Sequence, residues 1–120
     1  MRIFLVEDSE QIRERLVELI DALGGHTVVG AADNYDDAVS GICHARPDVA
    51  IFDIKLARGN GIEALAAAKH EVPGLRGIVL SNYATPQHVK ASADAGAEYF
   101  LDKSAEFEKI GDILASMQSA

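Results

Sequence analysis

The chain has 120 residues, with 19 acidic against 11 basic side chains; the formal net charge of −8 argues against nucleic acid as a direct ligand, because neutralising phosphates takes clustered Lys and Arg. No apolar stretch approaches the ~20 residues of a membrane span, and the N-terminus lacks the basic-then-apolar layout of a signal peptide. The single cysteine, Cys43, has no internal partner for a disulfide, so a reducing cytoplasm is the expected compartment, and the length suits one domain over residues 1–120.

The first predicted strand, Arg2–Val6, runs directly into two adjacent carboxylates, Glu7-Asp8. Ile12, Leu16, Leu19, Ile20 and Leu23 then recur at helical spacing, with Gly24-Gly25 as a stop. A second strand is predicted at 27–31, followed by a helix carrying Ala38, Val39, Ile42 and Cys43 that ends before Pro47. Val49–Phe52 forms the third strand and ends at Asp53; Gly61 precedes a helix with Ile62, Leu65, Ala66 and Lys69 on its pattern. After a fourth strand at 77–80, Thr85-Pro86 reads as an N-cap with proline in the first helical position, opening a helix over 86–95 that Gly96 closes. The fifth strand is predicted at 98–101. Phe107, Ile110, Leu114 and Met117 share one face of a last helix behind a Ser104 cap, and Gly111 inside it would permit a close approach to a partner.

The strand segments are apolar nearly throughout rather than alternating, which suits parallel strands covered on both faces. Five strands and five helices in alternation predict an α/β fold, a doubly wound five-stranded parallel sheet of order 2-1-3-4-5 in a flavodoxin-like three-layer sandwich. In that order the first and third strands are neighbours, so Glu7, Asp8 and Asp53 meet in one crevice at the carboxyl edge of the sheet. Three carboxylates do not all stay ionised there without a cation. Oxygen ligands in a shallow, partly hydrated site suit Mg²⁺. Strand four ends in Ser81 and strand five in Asp102-Lys103, so a hydroxyl and an ammonium share that edge. A carboxylate nucleophile, a metal, a hydroxyl donor and a lysine together make a phosphoryl-transfer kit. Asp102 reads as a solvated charge beside the lysine, and the histidines His26, His44, His70 and His88 lack metal-ligand spacing and read as surface residues.

Glu7-Asp8, Asp53, Gly61, Ser81 and Lys103, in this order and at these separations, resemble the receiver domain of two-component response regulators over essentially the whole chain. The resemblance implies that Asp53 is the phosphoacceptor. It implies that Asp8 and Asp53 bind Mg²⁺ with the main-chain carbonyl of Lys55, Glu7 acting largely through metal-bound water. Ser81 would hydrogen-bond the phosphoryl group, Lys103 would pair with its oxygens, and Phe100 occupies the switch-aromatic position. The implied donor is a sensor histidine kinase or a histidine phosphotransfer protein. The implied output is a switched protein-interaction surface with an unidentified downstream partner, and a homodimer through the switch face is compatible with it. No direct nucleic-acid or membrane contact is expected, and the protein would catalyse only its own phosphorylation and dephosphorylation. The fourth helix, whose one large aliphatic residue is Val89, is the candidate moving part.

The chain departs from the family pattern at several places. Ser104 follows the lysine where proline is usual, leaving a strained cis bond and a trans loop as alternatives. Ala57 stands where the loop after the acceptor often has proline, and Asn82 where a small residue is common. Lys55 and Tyr83 are expected to flank the path of an attacking water. These departures keep a second reading open, a degenerate receiver acting as a phosphorylation-independent interaction module. A flavin binder would want a Ser/Thr/Gly-rich phosphate loop in place of Glu7-Asp8. An aspartyl phosphatase would want an acid where Lys55 stands.

Overall fold

The structure, a computed structural model, describes residues 1–119. Its elements alternate without exception: β1 (Arg2–Val6), α1 (Glu10–Leu23), β2 (Thr27–Ala32), α2 (Tyr35–Ala45), β3 (Val49–Phe52), α3 (Gly61–Glu71), β4 (Arg76–Ser81), α4 (Pro86–Asp94), β5 (Ala97–Asp102) and α5 (Lys109–Ser119). All strand pairs are parallel, in the order β2-β1-β3-β4-β5. The expected fold class and strand order are therefore found.

Strand geometry explains why the runs are apolar on every residue. Successive side chains of a strand point to opposite faces. Ile3, Leu5, Val49, Ile51, Ile78 and Leu80 enter one core with Leu16 and Ile20 of α1 and Ile110, Leu114 and Met117 of α5. Phe4, Val6, Ala50, Phe52 and Val79 enter the other, with Ala38 and Ile42 of α2 and Ala64, Leu65 and Ala68 of α3. Each fully buried aliphatic or aromatic side chain contributes about 1.5–3 kcal/mol. Phe4 is accommodated by two glycines: a Cβ on Gly30 of β2 or Gly41 of α2 would lie 2.7 or 2.6 Å from its ring.

Caps fix where the helices begin. Ser9, Asn34, Asn60 and Thr85 each accept a backbone N–H of the first turn of α1, α2, α3 and α4, and Pro86 opens α4 as expected. The last helix differs from its expected form. It starts at Lys109, not behind Ser104, and Phe107 is buried in the preceding turn, its ring under the Arg15 guanidinium at 4.3 Å. Gly111 faces inward to the chain itself, since a Cβ there would lie 3.2 Å from Leu23 Cδ2 of α1.

Candidate functional site

Two neighbouring strand ends bring the acidic residues together. Glu7 and Asp8 follow β1, Asp53 follows β3, and one carboxylate oxygen from each lies within 4.8 Å of the others. Glu7 and Asp53 are buried and Asp8 is exposed, so the cluster has one face toward solvent. Local hydrogen bonds hold the buried pair. Asp53 N donates to Val6 O at 2.8 Å, Arg13 Nη1 donates to Glu7 O at 2.7 Å, and Ser9 N donates to Glu7 Oε2 at 3.0 Å.

Lys103, from the loop after β5, reaches across the sheet edge into this cluster. Its Nζ lies 2.6 Å from Glu7 Oε1 and 3.1 Å from Asp53 Oδ2. Burial opposes its charge, yet hydrogen bonding to Glu7 and the charge of Asp53 outweigh that and hold its pKa above the ordinary lysine value. Burial pushes the Glu7 carboxyl up to about 7, against the opposing hydrogen bond from Lys103. A buried carboxyl so displaced beside a second carboxylate is the mark of a candidate functional site. The oxygen-only donor set and its open face fit a hard divalent cation.

A cleft of about 270 Å³ opens over the cluster, lined by Glu7, Asp8, Ser9, Ile12, Asp53, Lys55, Asn82, Tyr83 and Lys103. Larger clefts, about 430 Å³ between α1 and β2 and about 500 Å³ beside Phe107, have no such convergence of a lysine on paired carboxylates. Ser81 is fully buried at the end of β4 and is not part of the cleft lining; its Oγ accepts from Tyr83 N at 3.0 Å. Phe100 is half-buried and packs against the core under α2 and α3. Lys55 pairs with Asn60 in an isolated antiparallel bridge, which ties the loop after β3 to the cap of α3. The start of that helix is drawn tightly onto the strand end: Gly61 N donates to Ile54 O at 2.8 Å, and a Cβ on Gly61 would fall 1.7 Å from Asp53 O.

Two residues near the site were not legible in sequence. No motif or spacing singles out Arg13, and only the structure brings it to the Glu7 carbonyl. Asp102, expected to be a solvated charge, has an exposed carboxylate that also accepts three hydrogen bonds from Ser104 and Ala105, which hold it below its usual pKa. The Lys103–Ser104 peptide is trans, as are all peptide bonds of the described residues.

Comparison with known proteins agrees with this arrangement. Residues 3–115 match the family described as the response regulator receiver domain. DevR/DosR of Mycobacterium tuberculosis (strain ATCC 25618 / H37Rv), a DNA-binding transcriptional activator, is 36% identical over 86% of this chain and 48% of its own length. The transcriptional regulatory protein DesR of Bacillus subtilis (strain 168) is 28% identical over 98% of this chain and 58% of its own. The chain thus spans about half the length of the curated relatives it matches. Among solved structures, the signal receiver domain of NarL from Mycobacterium tuberculosis is similar with a TM-score of 0.87 at 27% identity, covering 99% of this chain and 97% of that one. The response regulator domain of Thermotoga maritima CheB gives 0.85 at 28% identity, covering 100% of this chain and 95% of that one. Fold, carboxylate cluster and family match converge on one conclusion: the chain belongs to the response regulator receiver domains of two-component signalling.

Proposed function

We propose that residues 1–120 act as one receiver unit in which Asp53 accepts a phosphoryl group from a phosphohistidine, carried by a sensor kinase or a histidine phosphotransfer protein. The observation that carries this reading is the Lys103 ammonium set between Glu7 and Asp53 at the floor of an open cleft. An Asp53 oxygen attacks phosphorus, the new O–P bond forms as the P–N bond breaks, and the imidazole leaves. Asp53 needs no general base, because a carboxylate is already a nucleophile at neutral pH. Lys103 then exchanges carboxylate oxygens for phosphoryl oxygens, neutralising charge where it develops.

Mg²⁺ would be held by Asp8, Asp53 and the main-chain carbonyl of Lys55, with Glu7 behind it through water, and when bound it supplies neutralisation of the phosphoryl oxygens. Ser81 moves its hydroxyl toward a phosphoryl oxygen to donate to it, exchanging the bond from Tyr83 N, and the Phe100 ring turns inward into the space left. Asn82, Tyr83 and Lys55 line the approach of the water that later hydrolyses the aspartyl phosphate. The protein so described modifies itself and is not a turnover enzyme. We place it in the cytoplasm, where a kinase donor would meet it; among the described residues no helix is long and apolar enough to cross a membrane. DevR/DosR is named as DNA-binding, but the −8 charge of these 120 residues is unsuited to phosphate contact. We therefore assign them the receiving step and a switched protein surface, which a second copy could share.

The test is intact mass after incubation with a small acyl phosphate. One added phosphoryl group is expected with Mg²⁺, and none without Mg²⁺ or in Asp53→Ala. No adduct from acyl phosphate or from a phosphohistidine donor would overturn the proposal in favour of a phosphorylation-independent interaction module.

A further inference from the structure

Lys103 reaches the carboxylate cluster from a loop that has no proline to shape it. Ser104 follows the lysine, and the bond between them is trans. The loop is shaped instead by one oxygen, Asp102 Oδ1, which accepts from Ser104 N at 2.9 Å, from Ser104 Oγ at 2.7 Å and from Ala105 N at 3.3 Å. Glu106 closes the turn in both directions: Asp102 N donates to Glu106 Oε1 at 3.0 Å, and Glu106 N donates to Asp102 O at 2.7 Å. Lys109 Nζ holds the other oxygen of Glu106 at 2.9 Å. On the sheet side, Lys103 N donates to Ser81 O at 2.9 Å.

Lys103 is therefore pinned through its own N–H to β4 and through its successors to the side chain of its predecessor. Apart from the Glu106–Lys109 pair, these bonds lie ahead of α5, which begins at Lys109. Asx-type turns of this kind fix backbone direction locally by giving the N–H groups after the aspartate a side-chain acceptor. Here the residue whose direction is fixed carries the ammonium that meets Glu7 and Asp53.

We propose that Asp102 is a positioning residue for phosphoryl transfer, acting through Lys103 and partnered by Ser104, without itself touching the phosphoryl group. The inference rests on the proposed role of Lys103. A long flexible lysine held in one geometry is effective only while its backbone anchor is held, and a misplacement of ~1 Å in a reacting constellation can cost ~10²-fold in rate.

The test uses the Mg²⁺-dependent rate of phosphorylation by a small acyl phosphate. Asp102→Ala is expected to slow it ~10- to 100-fold. Asp102→Asn keeps Oδ1 as an acceptor and drops the charge, so it is expected to recover the rate to within ~3-fold of the parent protein. On a Lys103→Ala background, Asp102→Ala is expected to cost less than ~2-fold more, because residues acting as one unit are not additive. An Asp102→Ala rate within twofold of the parent, or a loss that multiplies in full on Lys103→Ala, overturns the proposal. A second readout needs no phosphoryl donor: the ¹⁵N-ammonium resonance abolished by Lys103→Arg should persist in Asp102→Asn and be lost by exchange in Asp102→Ala. Persistence in Asp102→Ala overturns the proposal. If the parent protein takes no phosphoryl group, the proposed function fails, and the ammonium resonance still decides the role of Asp102. If Asp102→Ala does not fold by circular dichroism, Ser104→Ala, which removes one of the three donors, decides: a ~3-fold slower transfer supports the proposal and an unchanged rate overturns it.

Discussion

Helices α3 and α4 lie on the same side of the sheet and are attached in opposite ways. α3 buries Gly61, Ala64, Leu65 and Ala68, and its first residue sits so close to the strand end that a Cβ there would fall 1.7 Å from Asp53 O. α4 buries only Ser92, whose hydroxyl has no hydrogen-bond partner among the described residues, and leaves Val89 42% exposed. A phosphoryl-accepting site needs atoms held to within a fraction of an ångström, whereas an output surface needs an element that can change state at low cost. Neighbouring helices that differ in how much apolar surface each buries fit these two requirements of the proposed function.

Breaking the tight junction should have the largest effect. Gly61→Ala pushes a methyl into backbone at the proposed acceptor and is expected to destabilise by about 3 kcal/mol or more and to abolish phosphorylation, read by urea unfolding and intact mass. The same kind of truncation on the two helices sharpens the contrast. Leu65→Ala should cost about 2–5 kcal/mol, and Val89→Ala no more than about 0.5 kcal/mol, in parallel denaturant titrations. Comparable losses at both positions would erase the distinction.

The buried side of the site carries its own electrostatic cost. With Glu7 pushed from 4.5 to about 7, the folded chain keeps a proton between those pH values that the unfolded chain has released. Without a divalent cation, stability should therefore fall as pH rises through that window. Glu7→Gln should remove this slope and, at pH 8, stabilise the metal-free protein by up to about 2 kcal/mol, measured by thermal unfolding at several pH values. A slope unchanged by the substitution would assign it to other groups. At the loosely attached helix the expected effect is smaller and favourable. Ser92→Ala removes a buried hydroxyl without a partner and should stabilise by about 1 kcal/mol, seen as slower amide exchange confined to α4.

Much of this arrangement is legible in sequence because parallel strands covered on both faces must be apolar at every position. The strand segments Arg2–Val6 and Val49–Phe52 end where the structure ends them, and the residues just past them are the carboxylates of the site. Thr85-Pro86 announced α4 for an equally local reason, a side-chain acceptor followed by a residue with no N–H to lose. Ser9, Asn34 and Asn60 carry the same capping chemistry, but such residues serve turns as readily as caps until the helix is seen. The start of α5 is not legible in sequence because Phe107 fits the helical pattern with Ile110 and Leu114 while packing from a turn. Asp102 was missed because its three hydrogen bonds depend on the backbone direction after β5, which no residue pattern encodes.

Amide hydrogen exchange of the protein before and after acyl-phosphate treatment would show whether α3 and α4 respond differently to phosphorylation. With Mg²⁺ and Asp53 intact, exchange is expected to change in α4 and the end of β5 while α3 stays as protected as before, and Asp53→Ala is expected to show no change. Equal changes in α3 and α4, or a response that survives Asp53→Ala, would contradict that expectation.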